Sequence, residues 1–111
     1  MPAGTIDLFM KLIADLHTHT CASTHAFSTL GEMIDAARAE GYRAMAVTDH
    51  GLAMPDAPHE WYFAGLPRLP GRMKDGFVLL KGVEANGMDS KGMLDMTRNQ
   101  LEKLDWVVAS V

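Results

Sequence analysis

The chain of 111 residues carries a formal net charge of −4, and 48% of its residues are hydrophobic. These values suit one small globular domain and exclude an intrinsically disordered chain. The ten Lys and Arg residues are scattered, so no nucleic-acid partner is expected. Cys21 is the single cysteine, which excludes an intrachain disulfide and suits a reducing compartment. Because there is no signal-peptide pattern and no apolar run of roughly 18 residues, we expect a cytoplasmic protein with no membrane partner.

The first half of the chain has the pattern of a strand, a helix and a second strand. After a leader of residues 1–10, the stretch 11–17 predicts strand one. Thr29 and Glu32 have the spacing of a capping box, and apolar residues at the spacing of one helical face follow them. Gly41 predicts the end of this helix. Residues 43–48 predict strand two.

The middle of the chain is less regular. Pro58 predicts the start of a short helix, and residues 66–76, rich in Pro, Gly and Arg, predict a loop. Residues 77–84 form an almost continuous apolar run. Such a run is typical of a strand that is covered on both faces.

The last part predicts a second capping box at Thr97 and Gln100, a short helix to Lys103, and a fourth, buried strand over 104–111. Because apolar strands alternate with helices, we expect an α/β fold with a parallel sheet and helical crossovers. The chain ends inside strand four. We therefore expect either a fragment of a longer domain or copies that pair their open strand edges as a homo-oligomer.

Polar residues collect where the predicted strands end, which is where sites form in parallel α/β folds. In the first cluster, Asp15, His17 and His19 share one face because side chains alternate along a strand. Two imidazoles on one face can bind one metal ion. The Asp15 carboxylate could accept a ring N–H as a second-shell partner. The alternative is a pair of polar residues at the rim of a sheet.

Three more candidate ligands follow. His25 lies in the loop after strand one, His50 ends strand two just before Gly51, and Glu84 ends strand three. Asp49 points away from His50 and is expected to cap a backbone N–H. A buried carboxylate such as Glu84 is costly unless it is paired or binds a metal, whereas a lone loop histidine is usually only solvated.

The joint placement of these residues indicates a metal site. Four of the five histidines and a glutamate fall at or just after three successive strand ends. Histidine and carboxylate ligands without a cysteine cluster suit Zn, Mn or Fe and do not choose among them. Such a site predicts hydrolysis by a metal-activated water.

Several stretches together resemble the PHP superfamily, named for polymerase and histidinol phosphatase. Its first motifs are similar to D-L-H-T-H-T (15–20), the loop His25 and T-D-H-G (48–51). Three further stretches resemble the YcdX-like phosphatase branch in particular: C-A-S-T-H-A-F-S-T-L (21–30), D-A-P-H-E-W-Y-F (56–63) and G-V-E-A-N (82–86). The resemblance runs from about Lys11 to the end, so it makes residues 1–111 a partial PHP domain.

The resemblance implies a distorted (β/α)7 barrel, of which this chain supplies about four parallel strands and their crossover helices. It also implies a cluster of up to three ions, usually zinc, at the C-terminal face of the barrel. By analogy, His17 and His19 bind one ion, His25 and His50 bind a second, and Glu84 bridges the first and a third.

The reaction that the resemblance implies is hydrolysis of a small phosphomonoester, with a metal-bound water as the nucleophile. His59 lies in a family-like stretch and is a candidate for a substrate contact, against a packing or solvated role. The family's later ligands would come from strands beyond Val111, so activity of the 111-residue chain alone stays open. The alternatives are a non-catalytic metal-binding or edge-pairing fragment, and the PHP module of a DNA polymerase or exonuclease.

Overall fold

The computed structural model describes residues 11–111. These residues form four strands, three helices and one 3-10 turn, in the following order: β1 Ala14–Thr18, α1 Leu30–Ala39, β2 Ala44–Val47, α2 Glu60–Gly65, the 3-10 turn Leu66–Arg68, β3 Val78–Asn86, α3 Arg98–Glu102 and β4 Trp106–Ser110. Both predicted capping boxes are present. The hydroxyls of Thr29 and Thr97 accept hydrogen bonds from the backbone N–H of the third helical residue, Glu32 or Gln100, and the side-chain oxygen of that residue accepts one from the threonine backbone N–H.

The four strands lie side by side in the order β1-β2-β3-β4, and each neighbouring pair is parallel. The sheet curls into a half-barrel with the helices between successive strands, so the α/β prediction is confirmed. Gly41 follows α1 with a φ of 85°, a conformation that glycine adopts without strain. The prediction of a loop over 66–76 missed the 3-10 turn at its start.

The hydrophobic core lies between the sheet and its helices. Its buried side chains come from the two inner strands β2 and β3 and from the helices and loops that pack on them: Ala37, Met45, Val47, Phe63, Leu66, Phe77, Leu79, Val83, Ala85 and Met96. Among the described residues, no helix is both long enough and apolar enough to span a membrane.

The prediction that strand four is buried was wrong. Trp106 and Val107 in β4 are 38% and 39% exposed, because among the described residues this strand pairs only with β3 and less of the chain packs around it. At the start of this pairing, Gly82 of β3 lies so close to the Trp106 carbonyl oxygen that a Cβ atom there would clash. The Trp106 indole N–H donates a hydrogen bond to the Leu16 carbonyl oxygen of β1 (3.0 Å), so it reaches from the last strand of the sheet to the first.

Candidate metal centre

The carboxyl ends of β1, β2 and β3 bring the predicted ligands together. His50 follows β2 directly and forms a parallel bridge with Glu84 of β3. Two backbone hydrogen bonds hold this register, from the Gly51 N–H to the Glu84 carbonyl oxygen (2.8 Å) and from the Glu84 N–H to the Asp49 carbonyl oxygen (3.0 Å). The backbone therefore fixes His50 beside Glu84 even though β2 has already ended.

The tightest group consists of His17, His19 and Glu84. The Nε2 atoms of His17 and His19 lie 2.8 and 3.0 Å from Glu84 Oε1 and 3.3 Å from each other. It is the one group of three candidate ligands in the described part of the chain whose ligand atoms all lie within 4.8 Å of one another. Tetrahedral coordination at bonds of about 2.0–2.1 Å separates ligand atoms by roughly 3.3 Å. A cation therefore fits this group with small outward shifts.

His50 extends the group on the side of His19. Its ring stacks on the ring of His19 with 4.4 Å between centroids, and its Nδ1 lies 3.8 Å from Glu84 Oε1. The Nδ1 atoms of both rings are buried without a hydrogen-bond partner among the described residues. Buried ring nitrogens without partners are costly, and a metal ligand is one role that would satisfy such an atom.

The electrostatics keep these groups in the forms that bind metal. Burial lowers the pKa of His19, and the neighbouring His50 lowers it further, so the neutral imidazole is favoured. For Glu84, burial alone would raise the pKa. The hydrogen bond with His17 and the electrostatic interactions with His17, His50 and His19 together outweigh burial and hold the pKa of Glu84 below its ordinary value. The carboxylate therefore stays ionised.

His25 lies in the loop after β1 and is not part of the tight group. Its side chain is 89% exposed, and its Nδ1 lies 3.4 Å from Oδ2 of Asp56. The same oxygen of Asp56 lies 3.8 Å from His50 Nε2. Asp56 was not among the residues singled out as ligands by the sequence, although it begins one of the family-like stretches.

The other two predicted site residues make local contacts. The Asp15 carboxylate accepts a hydrogen bond from the backbone N–H of His17 (3.3 Å), not from a ring nitrogen. His59 caps α2, where its Nδ1 accepts a hydrogen bond from the Trp61 N–H (3.1 Å) and its ring packs edge-on against the Trp61 indole. That Asp15 orients a histidine ligand by accepting its ring N–H, and that His59 contacts the substrate, stay predictions.

Asp49 accepts more hydrogen bonds than the single backbone cap that the sequence predicts. Its fully buried carboxylate accepts hydrogen bonds from the Thr20 N–H (2.7 Å) and hydroxyl (2.8 Å), the Ser23 hydroxyl (2.8 Å) and the Tyr62 hydroxyl (2.6 Å). Ser23 in turn accepts a hydrogen bond from the His50 N–H (3.1 Å). Burial and the Asp49 carboxylate raise the pKa of Tyr62, so its phenol stays protonated and donates. Asp49 therefore ties the ligand-bearing loop, the end of β2 and α2 together.

Asp95 holds the turn that follows His50 against the end of β3. Its carboxylate accepts hydrogen bonds from the Ala53 N–H (2.9 Å) and from the backbone and side-chain N–H groups of Asn86 (2.8 and 2.6 Å). The Gly51 Cα lies so close that an added Cβ would sit 2.6 Å from an Asp95 oxygen. The glycine after His50, expected to permit a turn, also makes room for this carboxylate. No signal in the sequence identified Asp95, because its partners are mostly backbone groups.

Comparison with known proteins agrees with this geometry. The family model of the PHP domain matches residues 15–103. A probable phosphatase of Proteus mirabilis is 52% identical over 95 residues, which is 86% of this chain and 38% of that protein. Probable phosphatases of Thermoanaerobacter sp. (48% identical, 92% of this chain and 41% of that protein) and Shewanella frigidimarina (45%, 90% and 40%) are also similar. The chain spans about two fifths of the length of these curated relatives. It belongs to the PHP domain family.

Proposed function

We propose that this chain is part of a metal-dependent phosphoric monoester hydrolase of the PHP type. The observation that carries the proposal is the group formed by His17, His19 and Glu84, whose ligand atoms meet at the carboxyl ends of the strands. The relatives are named probable phosphatases. The family match and this donor set support metal dependence.

The proposal assigns five ligands to the site. His17 and His19 would hold one ion and His25 and His50 a second, and Glu84 would be a ligand of the first ion and of a third. Zinc is the metal that the family resemblance favours, with Mn or Fe as alternatives for the same donors. When bound, the ions supply a nucleophilic water near neutral pH and neutralise charge on a phosphoryl group.

The chain's own residues prepare this site in three ways. The lowered pKa of His19 keeps a ligand nitrogen free of its proton. The carboxylate of Glu84 supplies a negative charge that three imidazoles share. Asp49, through Thr20 and Ser23, holds the loop of His25 next to the turn of His50. We propose small phosphorylated molecules as substrates and, with a single cysteine in the chain, the cytoplasm as the compartment.

A second candidate is a non-catalytic fragment that binds metal or pairs its strand edges. It is favoured by the sheet order, in which β1 and β4 each pair on one side only within residues 11–111, and by the exposed Trp106 and Val107 on β4. A polymerase or exonuclease module has less support, because the curated relatives named above are probable phosphatases.

Elemental analysis of the purified chain after loading with Zn²⁺ tests the metal site. We expect about one ion per chain or more, lost when His17 and His19 are both replaced by Ala. His59→Ala is the matched control, because it removes a histidine that caps a helix outside the ligand group. A folded wild-type chain without metal, or equal loss in His59→Ala, would refute the site.

Hydrolysis of 4-nitrophenyl phosphate by the same samples tests the reaction. Turnover that disappears in the His17→Ala/His19→Ala variant supports the phosphatase proposal. Light scattering then decides whether the active species is an assembly whose copies complete the site. Metal binding without turnover would favour the non-catalytic candidate for this 111-residue chain.

A further inference from the structure

Asp56 is a buried carboxylate that the ligand assignment leaves without a role. Its side chain is 8% exposed, and its Oδ1 atom has no hydrogen-bond partner among the described residues. An ionised carboxylate in such a place is destabilising unless nearby positive charge or N–H donors compensate. The groups that its other oxygen faces are the imidazoles of His25 and His50, at 3.4 and 3.8 Å.

The backbone of Asp56 also holds the loop that carries His25. Its carbonyl oxygen accepts hydrogen bonds from the Thr24 N–H (3.0 Å) and from the Thr24 hydroxyl (3.1 Å). The side chain and the backbone of Asp56 thus contact two successive residues of this loop. These contacts limit the freedom of a histidine whose ring is otherwise almost fully exposed.

The direction of the His25 contact matters for metal binding. A carboxylate at Nδ1 favours the tautomer with its proton on Nδ1, which leaves the Nε2 lone pair free for a cation. At 3.4 Å the contact is slightly longer than an ordinary N–H···O hydrogen bond. Contacts of this kind in unliganded sites commonly tighten when the ligand is bound.

We propose that Asp56 is a positioning residue for the second metal ion. It holds the His25 ring by Nδ1, so that Nε2 of His25 faces a cation shared with His50, and its charge offsets that of the cation. This inference rests on the assignment of His25 and His50 as ligands in the proposed function. It adds a residue to the site without adding a ligand.

Titration with Co²⁺, whose visible absorption reports the ligands around it, tests the proposal. The titration is done in the His17→Ala/His19→Ala background, which leaves the His25 and His50 half of the site. Asp56→Asn keeps the shape of the side chain and should weaken Co²⁺ binding by about 10- to 100-fold. Asp75→Asn is the matched control, because Asp75 pairs with Arg38 on the surface and contacts no ligand. Unchanged affinity in Asp56→Asn would overturn the proposal.

Nitrogen NMR of the imidazole rings in the metal-free wild-type chain gives a readout that a purely structural role would not move. In the neutral ring we expect His25 to carry its proton on Nδ1, which faces Asp56, and we expect Asp56→Asn to shift that proton toward Nε2. A His25 protonated on Nε2 in the wild type would overturn the proposal, even if the variant fails to fold.

The two proposals fail in different ways. If His25→Ala and His50→Ala leave Co²⁺ binding unchanged in the same background, the assignment of these ligands fails, and the role of Asp56 falls with it. If these variants weaken binding but Asp56→Asn does not, the ligand assignment stands and the positioning role alone is refuted.

Discussion

The buried carboxylate of Asp49 offers the sharpest test of how the site is held in place. It accepts four hydrogen bonds of 2.6–2.8 Å, from the Thr20 N–H, the Thr20 and Ser23 hydroxyls and the Tyr62 hydroxyl. Asp49→Asn keeps the shape of the side chain but replaces one acceptor oxygen by an NH₂ donor. At least one of the Thr20, Ser23 and Tyr62 hydroxyls must then accept a hydrogen bond instead of donating one, or lose its hydrogen bond to this side chain.

The expected loss of unfolding free energy follows from the number of hydrogen bonds to residue 49 that are lost or weakened. A hydrogen bond to a charged group contributes about 1.5–3 kcal/mol. In the favoured orientation the new NH₂ faces the Tyr62 and Thr20 hydroxyls, and the Thr20 hydroxyl already accepts from the Ala22 N–H (3.1 Å). With one bond lost and one weakened, the free energy of unfolding should fall by about 2–4 kcal/mol. For a chain of this length that lowers the Tm by roughly 9–17 °C.

Urea unfolding followed by circular dichroism measures this loss. Asp75→Asn is the control for the removal of a negative charge, since Asp75 forms an exposed ion pair with Arg38 that contributes little. Tyr62→Phe should show part of the Asp49→Asn effect, because it removes one of the same bonds. If Asp49→Asn is no more destabilising than Asp75→Asn, the network does not hold the loop and the reasoning is refuted.

Three further predictions concern the surroundings of the site. Gly51→Ala places a Cβ 2.6–2.9 Å from the Asp95 carboxylate and should lower the free energy of unfolding by about 1–3 kcal/mol. Gly31→Ala, with no atom nearer than 3.9 Å in a helix, should raise it, and equal losses in urea unfolding would contradict the clash. Hydrogen bonds from Asn86 and the Ala53 N–H outweigh burial and hold the Asp95 pKa below its ordinary 3.8. The stabilisation by Asp95 is therefore present above pH 3.8 and is lost as the pH falls through the folded-state pKa. The difference in Tm between wild type and Asp95→Asn should then shrink in acid. A difference that stays constant with pH would contradict this role of Asp95. Trp106→Phe removes the hydrogen bond to the Leu16 carbonyl oxygen and should cost about 0.5–1.5 kcal/mol in the same urea assay, whereas no loss would mean that this bond contributes nothing.

The order and type of the elements could be predicted because their signals are local. The Thr29 and Thr97 capping boxes mark two helix starts, and the apolar runs mark the strands. The environment of strand four could not be predicted in this way. Its apolar residues indicate a strand, but their burial depends on which neighbours it has, and β4 is the last strand of the sheet.

Part of the candidate site could be predicted because its signals are also local in the sequence. His17, His19 and Glu84 stand at strand ends, and parallel pairing places such ends at one edge of the sheet. Asp56 and Asp95 make contacts with residues far away in the sequence. Asp56 contacts the His25 ring in a preceding loop, and Asp95 accepts a hydrogen bond from the Ala53 N–H in the turn after β2. Because neither contact leaves a spacing pattern in the sequence, only the folded arrangement reveals them.

Three carboxylates at this edge of the sheet differ in how their oxygens are satisfied, and the difference separates structural from ligand-related roles. Both oxygens of Asp49 are saturated by four short hydrogen bonds, so nothing remains to attract a cation. Glu84 Oε1 contacts the rings of His17 and His19, and the Nδ1 atoms of His19 and His50 are buried without a hydrogen-bond partner among the described residues. Within residues 11–111, Asp56 Oδ1 has no hydrogen-bond partner, and Asp56 Oδ2 faces the rings of His25 and His50. An unsatisfied buried carboxylate costs stability in the metal-free chain. Binding of a cation would recover part of that cost, so metal should stabilise the chain more when Asp56 is present than when it is Asn.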